Sequence, residues 1–190
     1  MEFAMSLVFL VPLLLGVFVF GFRIIRSLQM IQVTRDLGHM YVRGVNFRNS
    51  GPVANAQTLA TGYDLTSTGT SVVYLSQLKV IQQSDCDAVP GAIAGRACSN
   101  LGKTVFTEQL TIGNSTMGAS PFGTPPLQSD SSVSVTDQAG NSQAVAGGFS
   151  TVLTLQAGET AYLAEMINQT ADLNVPGFSG KPQVYARAIF

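Results

Sequence analysis

Charge is what this chain has least of. Only 11% of its 190 residues are Asp, Glu, Lys or Arg, against the roughly 25% usual in soluble domains. The net charge is −1, so the total carries no electrostatic footprint for nucleic acid. There is no tryptophan, one histidine (His39) and two cysteines. A single histidine leaves no Ser-His-Asp or Cys-His set to choose from, and too few soft ligands for a metal site. No glycine loop of the phosphate-cradling kind occurs, nor a Cys-x-x-Cys-His. Glu159 and Glu165 read as strand-surface residues as readily as a general acid–base pair. The sequence therefore names no catalytic, cofactor-binding or metal-binding residue, and an enzyme is not expected.

The few charges are unevenly placed. Residues 1–50 hold five arginines against Glu2 and Asp36, while residues 51–190 hold nine acids against three lysines and two arginines. A basic N-terminal segment beneath an acidic remainder lets neighbouring copies attract one another. The remainder must keep its surface wet with Ser, Thr, Asn, Gln and Gly.

From Phe3 to Phe22 no residue is charged, and Ser6 is the one clearly polar side chain. As a helix, twenty residues span about 30 Å, the thickness of a bilayer core. The run exceeds the 7–15-residue core typical of a cleavable secretory signal, and no small-x-small site follows it. The positive flank, Arg23 and Arg26, lies after the run, which by itself would keep the C-terminal part inside the cell. The expectation that reconciles this with an exported head is a short basic leader before Met1, removed on processing.

Beyond Phe22 an amphipathic stripe continues through Met30, Val33, Leu37, Met40, Gly44 and Phe47, at steps of three and four. Asn49-Ser50-Gly51-Pro52 is read as its end. Pro12 removes a helical hydrogen bond and clashes one turn back, with Gly16 a turn later. The pair is either a tolerated kink or a place where a packed helix can unwind and stretch. Glu2, at the mouth of the apolar run, is either a solvated acid at a membrane face or an assembly latch. In the second case it would meet the Met1 amine of a neighbour inside an apolar core, where an unpaired charge is disfavoured.

Met1-Glu2-Phe3-Ala4-Met5, running into Val11-Pro12-Leu13-Leu14-Leu15-Gly16 and Phe20-Gly21, resembles the N-terminal segment of type IV pilin-like proteins. It is most similar to the tight-adherence, TadE-like pseudopilins. The resemblance covers about the first 48 residues. It implies a subunit trimmed by a prepilin peptidase, held in the inner membrane, and drawn by an assembly machinery into a helical filament at the cell surface. On that reading Met1, Glu2, Phe3, Pro12 and Gly16 are assembly residues. The glutamate stands nearer the chain start than is usual in the family, and Pro12 sits later after it.

The rest reads as a head. Val53–Gly62 is a short helix after Pro52. Period-two, β-branched runs at 71–81, 104–112, 149–155, 161–167 and 184–190 give about five strands, with a turn at 157–160. Met117–Gly148, crowded with Gly, Ser, Pro and Asn, is a long polar loop, either a contact surface or a disordered flap. Cys86 and Cys98 bracket a loop between the first two strands. An oxidised pair there would contribute about 2–3 kcal/mol and place the head outside the cytoplasm. Asn114-Ser115-Thr116 and Asn168-Gln169-Thr170 match the glycosylation acceptor triplet.

The expected fold class is α+β, pilin-like. A long N-terminal helix (residues 1–50, apolar over 3–22, amphipathic over 23–48) is a stem that is transmembrane before assembly. It packs on an antiparallel β-rich head (51–190). The expected function is a structural subunit of an extracellular pilus-like filament, a homo-oligomer polymerising through that helix, with no nucleic acid partner. The alternatives are a minor, membrane-resident TadE-like pseudopilin that primes or tips a pilus, and a membrane-anchored binding module that never polymerises.

Overall fold

The computed structural model describes residues 2–169 and 183–190, and for residues 2–7, 12, 19, 20 and 23 the backbone alone. Helix α1 (Glu2–Val42) is followed by α2 (Ser50–Leu59). Then come β1 (Ser71–Val80), α3 (Gln83–Asp87), β2 (Thr104–Gly113), α4 (Val135–Gly140), β3 (Thr160–Gln169) and β4 (Gln183–Ile189). The four strands form one sheet in the order β2-β1-β3-β4, with every pairing antiparallel. This is a small α+β fold.

One face of the sheet receives the second part of α1. Met30, Val33, Leu37 and Tyr41, one helical face at steps of three and four, pack with Val73, Leu75, Leu110, Ile112, Ala164 and Met166. Gly38 sits on the same face for want of space. A Cβ there would stand 2.3 Å from the Phe190 ring and 3.0 Å from the Ala164 Cβ. Thr34, buried on this face, turns its hydroxyl onto the Met30 carbonyl at 2.7 Å, which satisfies it within the helix.

The helix stops at Val42. The Gly44 N–H donates to the Tyr41 carbonyl and the Val45 N–H to that of Met40, the paired bonds of a Schellman cap. Gly44 takes φ 81°, where a Cβ would be strained. The stripe read through Gly44 to Phe47 therefore ends at its glycine. Asn49 instead precedes α2, and Pro52 lies in that helix's first turn, where a missing N–H costs nothing.

The opposite face is not wet, as a single packed face would leave it. The chain between β2 and β3 crosses back over the sheet and buries Phe122, Val133, Ala144, Ala146 and Phe149 against Leu78, Phe106 and Leu163. Each large side chain buried there contributes about 1.5–3 kcal/mol. The polar stretch 117–148 thus folds as α4 and short 3₁₀ turns pinned by its own caps, including the Ser134 hydroxyl accepting from the Asp137 N–H. It also covers the β2 edge, with the Gln109 N–H donating to the Ser131 carbonyl and that of Val133 to Thr107.

The expected fold is accordingly corrected. Residues 149–155 are no strand: Phe149–Thr151 is a 3₁₀ turn, because Phe149 plugs the second core instead of alternating across a sheet. Among the described residues the strands are four, not five. The helix ends near 42, not 48, and from Met30 onward it belongs to the head's own core and is not a separate stem. Among the described residues, no helix is long and apolar enough to cross a membrane. From Met30 onward one face of the helix is committed to the sheet. The transmembrane stem is withdrawn.

Candidate functional site

Among the described residues, the first part of α1 carries the longest succession of exposed large apolar side chains. Val8, Phe9, Leu10 and Val11 are exposed in succession, as are Leu13, Leu14 and Leu15, then Val17, Phe18, Phe22, Ile24, Ile25 and Leu28. Successive helical residues are set about 100° apart, so these side chains point in every direction around the axis. Phe9 is 78% exposed and Leu13 is 69% exposed. Monomeric proteins rarely leave contiguous apolar patches beyond a few hundred Å². Phe18 and Phe22 stack on each other at 6.4 Å, which hides little of either. A brace marks where the helix joins the head: the Tyr63 hydroxyl donates to the Arg26 carbonyl at 2.5 Å.

Of the expected assembly residues, Met1 lies outside the described residues, as do the side chains of Glu2, Phe3 and Pro12. The backbone is helical through Pro12. Gly16 has nothing within 4 Å of where a Cβ would stand, so its own helix leaves that position open to a neighbour.

On the covered face of the sheet sits a buried carboxyl group. Glu165 has no solvent exposure. It accepts from the Ser120 hydroxyl and from the Tyr185 hydroxyl, each at 2.6 Å. Burial raises its pKa above the ordinary carboxylate range; the two hydroxyls and the nearby Arg187 charge pull the other way without cancelling it. The same burial, with Glu165 as neighbour, pushes the Tyr185 hydroxyl up. Arg187 in turn lies 5.8 Å over the Phe122 ring. Ser120 and Phe122 belong to the crossing segment, so this cluster ties that segment to β3 and β4. It holds a fold together and faces no open cleft.

Cys86 and Cys98 form a disulfide with Cα atoms 5.3 Å apart. The loop that it closes is also cross-tied by Asp87, whose carboxylate accepts from the Gly95 N–H and the Gln83 amide, each at 2.9 Å. Between this loop and α4 lies an open cleft of about 350 Å³ bordered by Val89, Ile93, Arg96 and Thr136.

The two acceptor triplets fall differently. Asn114 caps the 3₁₀ turn Ser115–Met117, and its amide donates to the Gly69 carbonyl at 2.9 Å. Asn168 is buried on β3, donating to the Ser71 hydroxyl at 2.6 Å. A glycan on Asn168 would require that strand to leave the sheet. The third residue of its triplet, Thr170, lies outside the described residues.

Sequence reasoning passed over Glu165 as a surface acid. The signal was available: its neighbours two positions away, Leu163 and Ile167, are apolar and share its face of the strand. Among the described residues, no group of His, Cys, Asp and Glu could hold a metal ion. No protein-family model matches this chain, and neither a curated protein nor a solved structure does.

Proposed function

We propose that this chain is a structural subunit of an extracellular, type IV pilus-like helical filament, polymerising through the first part of α1. One observation carries the reading: an apolar helical surface exposed in all directions, joined to a head that needs none of it for its own core. A partner on one side would leave the rest bare. A bundle of copies covers every side, and each Leu or Phe removed from water there contributes about 1.5–3 kcal/mol. The disulfide supports an oxidising location, consistent with a filament outside the cytoplasm. The uneven charge, basic before residue 50 and acidic after it, favours staggered copies in which one subunit's helix lies by another's head.

The test is negative-stain microscopy of sheared surface material, with mass spectrometry identifying the subunit and its N-terminus. Glu2→Ala should leave the head folded and remove the filaments. Filaments of normal length and number from that variant would discard the Glu2 latch, and the absence of filaments from the unaltered protein would discard the subunit reading.

A further inference from the structure

Residues 118–123, Gly-Ala-Ser-Pro-Phe-Gly, lie at the start of the segment that crosses back over the sheet. The stretch begins and ends on glycine, with Gly118 at φ 153° and Gly123 at φ 131°, where other residues would be strained. Between the two glycines the chain is fastened to the sheet side by side. The Tyr74 hydroxyl donates to the Gly118 carbonyl at 2.7 Å, and the Ser120 hydroxyl donates to Glu165 at 2.6 Å. The Gly147 N–H donates to the Phe122 carbonyl at 2.7 Å. The Phe122 ring is 6% exposed and meets Phe149 edge-on at 5.4 Å.

Beneath this stretch, Glu165 faces groups from three elements. Tyr74 of β1 stands opposite it in register. On β4, Tyr185 donates to it at 2.6 Å, and its register partner Arg187 sits over the Phe122 ring. Ser120 closes it from above. Its direct partners are thus two neutral hydroxyls. A protonated carboxyl keeps both contacts, accepting from one hydroxyl and donating to the other. An ionised one is shut away from water, which is costly, and burial outweighs both hydroxyls and the Arg187 charge in favouring the proton.

That cost is relieved by admitting water, and the geometry decides where water enters. Strands β1, β3 and β4 are locked to one another by continuous ladders. The stretch between Gly118 and Gly123 is the cover that can swing aside without breaking a ladder. Closure is favoured while Glu165 holds its proton and weakens as pH rises and the proton is lost.

We propose that residues 118–123 are a pH-sensitive strap, closed over the protonated Glu165 carboxyl and lifted when that carboxyl ionises, so that Phe122 leaves the second core. The device is separate from the helix surface through which copies are proposed to assemble. Amide hydrogen exchange of the full chain, followed by NMR from acid to alkaline pH and corrected for the intrinsic rate, reads the opening. The Gly147 N–H, freed when the Phe122 carbonyl departs, should lose protection by up to about tenfold per pH unit across the window. The N–H groups of the β1–β3 ladder should keep theirs. Glu165→Gln should flatten the Gly147 profile. Ser120→Ala, which keeps the acid and removes the strap's tie to it, should raise the opening while the pH dependence persists. A flat profile in the parent, a profile that survives Glu165→Gln, unchanged opening in Ser120→Ala, or equal loss of protection in the β1–β3 ladder would overturn the proposal.

Discussion

Two parts of one helix obey different rules. Between Val8 and Leu28 the described apolar side chains of α1 point to every side and are exposed; from Met30 to Tyr41 the helix is apolar on one side and that side is sealed. Intrinsic helix propensity is the poorer in the first part, which holds Pro12, Gly16 and Gly21, yet both parts are helical. Burial separates them. The second part owes its stability to tertiary packing within one chain, as most protein helices do. The first part has no such support inside the molecule, and its apolar surface is an unfilled contact. One continuous element thus serves a fold at one end and an assembly at the other.

The sharpest way to break this comparison is to place a charge in each part. Leu13→Asp, at a position 69% exposed, should abolish filaments altogether, because a carboxylate inside a bundle of apolar helices has no cation to meet. The head should melt within about 0.5 kcal/mol of the parent, as surface substitutions do. Leu37→Ala should do the reverse. Leu37 is fully buried between α1 and the sheet, and truncation of such a residue costs roughly 2–5 kcal/mol. Denaturant melts of the head would register that loss directly. Should Leu13→Asp destabilise the head as much as Leu37→Ala, the division of α1 into two parts is wrong.

The sequence shows this division in part. The stripe of Met30, Val33 and Leu37 was legible because helical periodicity is a local signal, and β1, β2, β3 and β4 because each alternates or is rich in β-branched residues. The disulfide was legible because Cys86 and Cys98 are the only two cysteines and bracket one loop between two strands. What stayed hidden depends on partners distant in sequence. Phe149 belongs to a run that reads as a strand, yet it packs with Phe122 at 5.4 Å because the crossing segment needs a plug. Gly44 reads as one more member of the stripe until its positive φ shows it to be the cap. Glu165 carried only a partial signal, its apolar same-face neighbours Leu163 and Ile167, for a related reason. Whether a polar residue on a strand meets water or another chain segment is decided by what crosses over it.

That crossing segment supports a comparison between the two faces of the sheet, and pH tests it. Glu165 has a pKa raised by burial in the folded state. The folded protein therefore holds its proton more tightly than the unfolded chain, and stability falls as pH rises through the window between the two values. The contribution is full below the unfolded value and gone above the folded one. The exposed acids Asp64 and Asp130 have pKa values lowered by hydrogen bonds from Thr66 and Ser132. They act in the opposite sense and at lower pH. Glu165→Gln keeps an acceptor for one hydroxyl and removes the proton linkage. Subtracting its melting profile from that of the parent should isolate a difference that favours the parent at acid pH and shrinks or reverses towards neutrality. A flat difference would mean that the crossing segment is held without Glu165, and that this face, like the α1 face, rests on apolar packing alone.

The smallest expected effect bears on where α1 ends. At Gly44 there is open space for a side chain, so Gly44→Ala introduces no clash. Only the backbone is strained, because an L-residue at φ 81° sits in the left-handed region at a cost of about 1 kcal/mol. The loss should appear as a shift of that size in the head's unfolding midpoint, with filament assembly unaffected. Substitution by Asn, which tolerates this conformation better, should recover part of it. A larger loss, or one that also removed filaments, would mean that the turn after Val42 does more than stop the helix. It would tie the sealed part of α1 to the bare part through the helix end that sets Tyr41 against Tyr162 and Arg48 against Glu108.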